Sequence, residues 1–218
     1  MIRGVYAAIL DFLFPARCPE CGCYSDRQGQ WCQTCLEKII ACRRLPVPVP
    51  AYCVLPQVDA LARYQGSIKR LIHRFKYHGD DIALAYLQTF LQQAMQTLPV
   101  FSVDIVVPVP LYFVKEQQRG FNQTEKIFHP WAQTNGFLWQ AVLVRKRPTL
   151  PQYELNRRQR QENMRDAFAI QDKSLIRGRD ILLVDDIFTT GATLASCAKT
   201  LHEAGAKKII GIVLASGS

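Results

Sequence analysis

The pattern of apolar and polar positions changes period most clearly in the C-terminal part of the chain. The apolar run Ile181 to Val184 predicts a buried strand, and apolar residues then recur at helical spacing from Ala192 to Ala204. Gly205 supplies a helix stop, and Ile209 to Leu214 predicts a second buried strand. Strand, loop, helix and strand in this order are typical of an α/β sheet, so we expect a mostly parallel, twisted sheet flanked by helices.

Earlier segments fit the same fold class. The periodicity predicts strands at 60–64, 103–111 and 141–144, and helices at 66–77, 81–98 and 118–135. The strand that begins at Val103 must end near Pro108 and Pro110, because proline cannot donate a ladder hydrogen bond. The same prolines also remove backbone donors from the loop that follows this strand.

The loop after the strand Ile181 to Val184 combines carboxylates with hydroxyls. Asp185 and Asp186 come first, and sugar hydroxyls or a ligand-borne Mg²⁺ are suitable partners for them. A short anion-binding turn follows, at the start of the next helix, where backbone N–H groups favour phosphate. Its residues are Thr189, Thr190, Gly191, Ala192 and Thr193. A phosphorylated sugar satisfies both halves of this loop.

Positive charge is concentrated in the middle of the chain. The formal net charge of the 218 residues is +9, and residues 61–180 hold 18 Lys or Arg against 10 Asp or Glu. Such an excess suits a polyanion. The candidate contacts for pyrophosphate or nucleic acid are Lys76, Arg119, Arg145, Arg147, Arg157, Arg158 and Arg160. The last five lie in a basic, proline-bearing segment that is interpreted as a flap over the sheet edge, with a solvated loop as the alternative.

The cysteines predict a metal site. Two C-x2-C pairs are separated by ten residues, and they comprise Cys18, Cys21, Cys32 and Cys35. Four thiolates at this spacing are typical of structural zinc in a closed tetrahedral shell, which has no open position for catalysis. Three other cysteines are alternative ligands or buried thiols: Cys23, Cys42 and Cys53. We expect Cys197 to pack in the core.

These signals divide the chain into two predicted parts. Residues 1–56 would comprise a short amphipathic N-terminal helix, the cysteine module and a proline-rich linker, and residues 57–218 the sheet domain. The apolar run Gly4 to Phe14 is too short to span a bilayer and contains Asp11. We therefore expect a cytoplasmic protein without a transmembrane segment, with weak contact to the membrane surface as an alternative.

The segment from Ile181 to Thr193 resembles the binding motif for phosphoribosyl pyrophosphate (PRPP) of type I phosphoribosyltransferases. It has four apolar residues, an acidic pair, two apolar residues and then Thr-Thr-Gly-x-Thr. The resemblance implies a phosphoribosyltransferase-like sheet in which Asp185 and Asp186 hold the ribose hydroxyls. By the same resemblance, Thr189 to Thr193 hold the 5′-phosphate and Mg²⁺ accompanies PRPP. No side chain is identified as a general base.

The order of motifs over nearly the whole chain resembles the ComF family of competence proteins. A four-cysteine module is followed by Val-Pro-Val-Pro-Leu, Arg-Gly-Phe-Asn-Gln, the segment 152–168 and the PRPP motif. The resemblance implies a role in natural transformation: handling single-stranded DNA at the inner face of the cytoplasmic membrane with a helicase-like partner. Two alternatives remain, a phosphoribosyltransferase with an unidentified acceptor and a regulatory module that senses PRPP.

Overall fold

A six-stranded sheet organises the residues that the computed structural model describes, which are 15–47, 51, 53–99, 102–146 and 167–217. Its order is β1-β2-β8-β7-β3-β4, and every neighbouring pair is parallel except β1 with β2. A separate antiparallel pair consists of β5 and β6. The strands are β1 (Arg43–Arg44), β2 (Gln57–Arg63), β3 (Ile105–Pro108), β4 (Leu138–Trp139), β5 (Leu143–Arg145), β6 (Phe168–Ile170), β7 (Asp180–Phe188) and β8 (Lys208–Ser216).

Helices cover both faces of this sheet. Those of the described residues are α1 (Gln33–Ile39), α2 (Gly66–His78), α3 (Asp81–Met95), α4 (Phe113–Arg119), α5 (Gln123–Thr134) and α6 (Ala192–Glu203). Leu71, Phe90 and Phe128, from α2, α3 and α5, share one buried cluster. Leu201 of α6 belongs to a second cluster with Cys197, which is fully buried as predicted. The predicted α/β fold, a mostly parallel sheet flanked by helices, is confirmed.

The predicted helix from Gln118 to about Asn135 begins only at Gln123, because the chain turns at Gly120, near the start of the predicted range. Gly120 adopts a left-handed conformation with φ 81° and ends α4, a position that glycine occupies without steric cost. The Asn122 side chain then accepts a hydrogen bond from the Thr124 N–H at 3.0 Å and caps α5. Arg119 therefore lies at the C-terminal end of one helix and not in the first turn of the next.

The central strand β7 is longer than the apolar run that predicted it. It continues through the acidic pair to Phe188 and pairs with β8 along its length. Parallel strands buried on both faces tolerate polar residues only near their ends, where ligands bind. The acidic pair thus lies in the last part of β7, at the carboxyl edge of the sheet.

The cysteine-bearing segment packs against α3. The Trp31 indole N–H donates to the Tyr86 carbonyl at 2.9 Å, and the two rings meet edge to face with centroids 6.1 Å apart. The Tyr86 hydroxyl donates back to the Arg17 carbonyl at 2.5 Å. Farther along, Arg43–Arg44, in the segment interpreted as a linker, pairs with β2 as an edge strand.

Residues 1–14, which hold the predicted N-terminal helix, lie outside the described residues, as do Arg147, Arg157, Arg158 and Arg160 of the predicted flap. Across the part of the chain that is described, none of the helices has the length and apolar character needed to cross a membrane.

Candidate functional site

The acidic pair of β7 is held by contacts from two other elements. Asp186 forms an ion pair with Lys76 of α2, with Nζ and Oδ2 2.6 Å apart and side chains only 16% and 5% exposed for Lys76 and Asp186. Asp185 Oδ1 accepts hydrogen bonds from the Asp186 N–H at 2.8 Å and from the Thr124 hydroxyl at 3.3 Å. Strand β7, the start of α5 and the end of α2 therefore converge on two carboxylates.

Burial and the charge of Asp186 affect the protonation of Asp185. Burial, followed by the charge of Asp186, raises the pKa of Asp185 to about 7, against the opposing hydrogen bonds and the charge of Lys76. Near neutral pH Asp185 therefore gains and loses a proton easily. The Asp185 side chain can accept or donate a hydrogen bond to a sugar hydroxyl as the ligand requires.

The turn after β7 has the features of an anion cradle. Gly191 has φ 74° and directly precedes α6, so the first N–H groups of that twelve-residue helix point toward the loop. The Thr190 hydroxyl oxygen is buried and accepts or donates no hydrogen bond within the described residues. A buried hydroxyl without a partner is unfavourable, and a phosphate oxygen at the turn would satisfy it.

Cations approach this edge of the sheet from separate elements. Lys76 contacts Asp186 directly. Burial lowers the pKa of Arg145, at the end of β5, while the nearby Cys197 and Asp185 raise it to a smaller extent. Arg119 donates to Gln123 and lies with its guanidinium carbon 6.0 Å from the ring centroid of Tyr77. The structure describes three of the candidate contacts for pyrophosphate or nucleic acid, and the elements that carry them end on the side of the sheet that holds the acidic pair. They are Lys76, Arg119 and Arg145.

The Arg-Gly-Phe-Asn-Gln motif supplies the framework of this edge. The Asn122 side-chain amide donates to the Val109 carbonyl at 3.2 Å and so holds the proline-bearing loop after β3. Phe121 stacks on Phe75 of α2 with ring centroids 4.7 Å apart. The motif therefore joins α2, α5 and the loop.

Sequence reasoning missed Thr124 as a residue of the site. Its hydroxyl reaches Asp185, and its backbone N–H is the donor in the cap of α5. The available signal was its position directly after Arg-Gly-Phe-Asn-Gln. Hydroxyl residues in the first turn of a helix beside a sheet edge are well placed to contact ligands or carboxylates there.

The cysteines form a second candidate site, away from the sheet edge. Ligand atoms of Cys18, Cys21, Cys23 and Cys32 lie within 4.8 Å of one another. The sulfurs of Cys21 and Cys32 are 3.7 Å apart. Four thiolates about 2.3 Å from one zinc ion would stand roughly 3.8 Å from each other, so this spacing suits a tetrahedral metal site.

Cys35 adjoins the same cluster. Burial, followed by hydrogen bonds with the thiols of Cys32, Cys21 and Cys18, raises its pKa. The pKa of Cys23 is raised to about 12, first by a hydrogen bond with the Cys21 thiol and then by burial and by Cys32. Cys35 therefore interacts with three members of the two predicted pairs, although the four sulfurs that lie within 4.8 Å of one another include that of Cys23 in its place.

Known proteins resemble this chain over both the cysteine-bearing segment and the sheet. A family model described as the phosphoribosyl transferase domain matches residues 133–218, which include β7, the acidic pair and α6. The DNA utilization protein YhgH of Escherichia coli (strain K12) is 30% identical over 197 residues, and the match covers 88% of this chain and 80% of that protein. Competence protein ComFC of Streptococcus pneumoniae (strain ATCC BAA-255 / R6) is 30% identical over 150 residues, with 69% of this chain and 64% of that protein covered. This chain belongs to the ComF family.

Another ComF-family relative carries competence in its name. Competence protein F of Haemophilus influenzae is 26% identical over 200 residues, and the match covers 88% of this chain and 81% of that protein. The expected membership is therefore confirmed for a chain that combines a phosphoribosyltransferase-like sheet with an N-terminal cysteine cluster.

Proposed function

We propose that this ComF-family protein handles single-stranded DNA in natural transformation and binds PRPP with Mg²⁺ at the carboxyl edge of its sheet. In this proposal Asp185 and Asp186 take the ribose hydroxyls, and the turn from Thr189 to Thr193 takes the 5′-phosphate. The helicase-like partner and the inner face of the cytoplasmic membrane belong to the same proposal through the family resemblance. The names of the relatives, DNA utilization protein and competence protein, support the DNA role.

One observation carries the pocket assignment: the acidic pair and the Thr190 hydroxyl, which has no hydrogen-bond partner among the described residues, flank one turn at the start of α6. The carboxylates can accept hydrogen bonds from two hydroxyls, and the turn offers donors to an anion. A sugar phosphate presents both chemistries on one molecule. Mg²⁺, a hard cation that prefers oxygen ligands, would neutralise the charge of the pyrophosphate group.

The proposed metal of the cysteine cluster is structural zinc, held by Cys18, Cys21, Cys32 and Cys35. Its role would be to keep the segment from Arg17 to Trp31 in place against α3. The interactions of the Cys35 thiol with those of Cys32, Cys21 and Cys18 support this set, and Cys23 would be a neighbouring thiol.

The test of the PRPP pocket is a calorimetric titration of the zinc-loaded protein with PRPP and Mg²⁺. The double variant Asp185→Asn, Asp186→Asn should lose PRPP binding, because amides lack the negative charge that attracts Mg²⁺ and the strong acceptor oxygens that sugar hydroxyls need. Zinc content measured by elemental analysis should stay at that of the wild type. Unaltered PRPP affinity in the double variant would refute the pocket assignment.

A phosphoribosyltransferase is the second candidate, and the pKa of about 7 at Asp185 favours it. A carboxyl group that changes protonation near neutral pH is suited to general acid–base chemistry on an acceptor. This candidate predicts release of pyrophosphate from PRPP when the correct acceptor is present. Binding of PRPP without turnover in the presence of nucleobases or DNA supports the first candidate.

A further inference from the structure

Helix α2 presents an aromatic surface that the pocket does not use. Tyr77 is 66% exposed although it lies one residue from the buried ion pair of Lys76. The His73 ring lies one helical turn away, with its centroid 4.5 Å from that of Tyr77 and the planes inclined by 39°. The Arg119 guanidinium of α4 lies 6.0 Å from the Tyr77 ring centroid. Two rings and one cation therefore form a small exposed platform.

The surrounding contacts hold this platform in position. Phe75, Lys76 and Tyr77 are consecutive in a helix and so point in three directions. Phe75 stacks on Phe121, which lies two residues beyond Arg119, and Lys76 is joined to Asp186. The Tyr77 ring therefore projects from a helical turn that is fixed on two sides, so an incoming group meets a surface that is already ordered.

The charge around the platform suits a polyanion. Helix α2 contains four Lys or Arg and no Asp or Glu. Three of these cations, Arg70, Arg74 and Lys76, pair with carboxylates. Lys69 remains on the helix, and Arg119 adds a second cation from α4. Exposed rings bordered by cations are the arrangement that single-stranded nucleic acids use, with bases on the rings and phosphates on the cations.

We propose that His73, Tyr77 and Arg119 form a stacking site for one unpaired base of a DNA strand that passes beside the PRPP pocket. The inference rests on the proposed single-stranded DNA function and assigns its point of base contact. The strand is favoured over a protein partner because the exposed rings carry polar groups and are bordered by cations. Base stacking on an aromatic ring tolerates any sequence, which suits a protein that handles DNA without sequence preference.

Two labelled oligonucleotides of equal length test this site by fluorescence anisotropy, one with bases throughout and one with abasic positions along its centre. Tyr77→Ala should bind the first on the order of 10-fold more weakly than the wild type, because one base loses its stacking partner. On the abasic strand the two proteins should bind alike. Tyr77→Phe should behave as the wild type on both strands, because it keeps the ring.

Tyr24→Ala is the matched control. Tyr24 is 71% exposed and has its own arginine, Arg17, 4.3 Å from the ring centroid, but it lies on the cysteine-bearing segment. The Tyr24→Ala variant should bind both strands with the affinity of the wild type. The zinc content of every variant should match that of the wild type.

Three results would refute the proposed stacking site. If Tyr77→Ala bound the base-containing strand as tightly as the wild type, the stacking site would be refuted and the DNA function would remain. An equal loss of affinity for both strands would show that Tyr77 contributes to binding by something other than base stacking, for instance by supporting the fold. A wild-type protein that binds neither strand would refute the DNA function together with the platform.

Discussion

The two ends of helix α2 differ in what they contact. At the N-terminal end, the Glu20 carboxylate of the cysteine-bearing segment accepts a hydrogen bond from the Ser67 N–H at 3.1 Å. Arg70 donates to the Pro19 carbonyl at 3.1 Å on the same segment. At the C-terminal end, Lys76 contacts the acidic pair and Tyr77 remains exposed. One end is attached to the cysteine cluster, and the other forms part of the candidate functional site.

This difference shows how a small cysteine module can help to position a distant candidate site. Gln65, the N-cap residue of α2, makes no side-chain capping bond, so Glu20 supplies the missing acceptor from between Cys18 and Cys21. Its negative charge also suits the N-terminal end of a helix. The position of Lys76 and Tyr77 therefore depends on a helix whose other end is held by the cysteine loop.

Loss of the proposed zinc should have the largest effect on this arrangement. Cys35→Ser should lower the zinc content from about one ion per chain to nearly none, because a structural site needs all four ligands. The free energy of unfolding should fall by more than about 4 kcal/mol, since metal binding energy is folding energy. Elemental analysis and denaturant unfolding measure the two quantities.

Two matched substitutions sharpen this prediction. Cys23→Ser should keep its zinc, because Cys23 lies beside the cluster but is not a ligand in the proposed set of Cys18, Cys21, Cys32 and Cys35. Cys53→Ser, at an exposed cysteine outside the cluster, should be indistinguishable from the wild type. Zinc lost from Cys23→Ser and retained in Cys35→Ser would reverse the assignment of the fourth ligand.

Breaking the ion pair at the other end of α2 should have an intermediate effect. Lys76→Met leaves the Asp186 carboxylate, which is 5% exposed, without its cation. Removal of one partner from a buried pair typically costs about 3–5 kcal/mol of unfolding free energy, and the partial exposure of Lys76 favours the lower figure. Chemical denaturation near pH 8 measures the loss, and Lys76→Arg should recover much of it.

The smallest effect is expected at an exposed ion pair of similar composition. Lys199 and Glu203 of α6 are 3.6 Å apart and 60% and 64% exposed, so Lys199→Met should cost only about 0.3–0.5 kcal/mol. A loss in Lys76→Met no greater than that in Lys199→Met would mean that the α2 end contributes little to holding the pocket.

Local patterns predicted the parts of the fold whose signals are contiguous in sequence. The apolar run before Asp185 marked β7, the helical spacing after Ala192 marked α6, and the basic amphipathic helix after Gly66 is α2. The cysteine spacing also identified three of the four thiols that gather within 4.8 Å. Each of these features depends on periodicity or on close neighbours in the chain.

Contacts between distant segments were not predictable in the same way. Neither the pairing of Lys76 with Asp186 nor that of Thr124 with Asp185 leaves a local pattern, because the sheet order decides which elements meet. The break at Gly120 was missed because the polar residues around it fit one long helix as well as two short ones. The exposure of Tyr77 likewise depends on which neighbours cover α2.

The central claim is that PRPP and single-stranded DNA bind side by side around the end of α2. Calorimetry of the zinc-loaded protein with PRPP and Mg²⁺, in the absence and presence of a saturating oligonucleotide, tests it directly. Because Lys76 and Tyr77 are adjacent, each ligand should change the affinity for the other by the same factor, of at least about 5-fold. Binding of both ligands with unchanged affinities, or of only one, would contradict the claim.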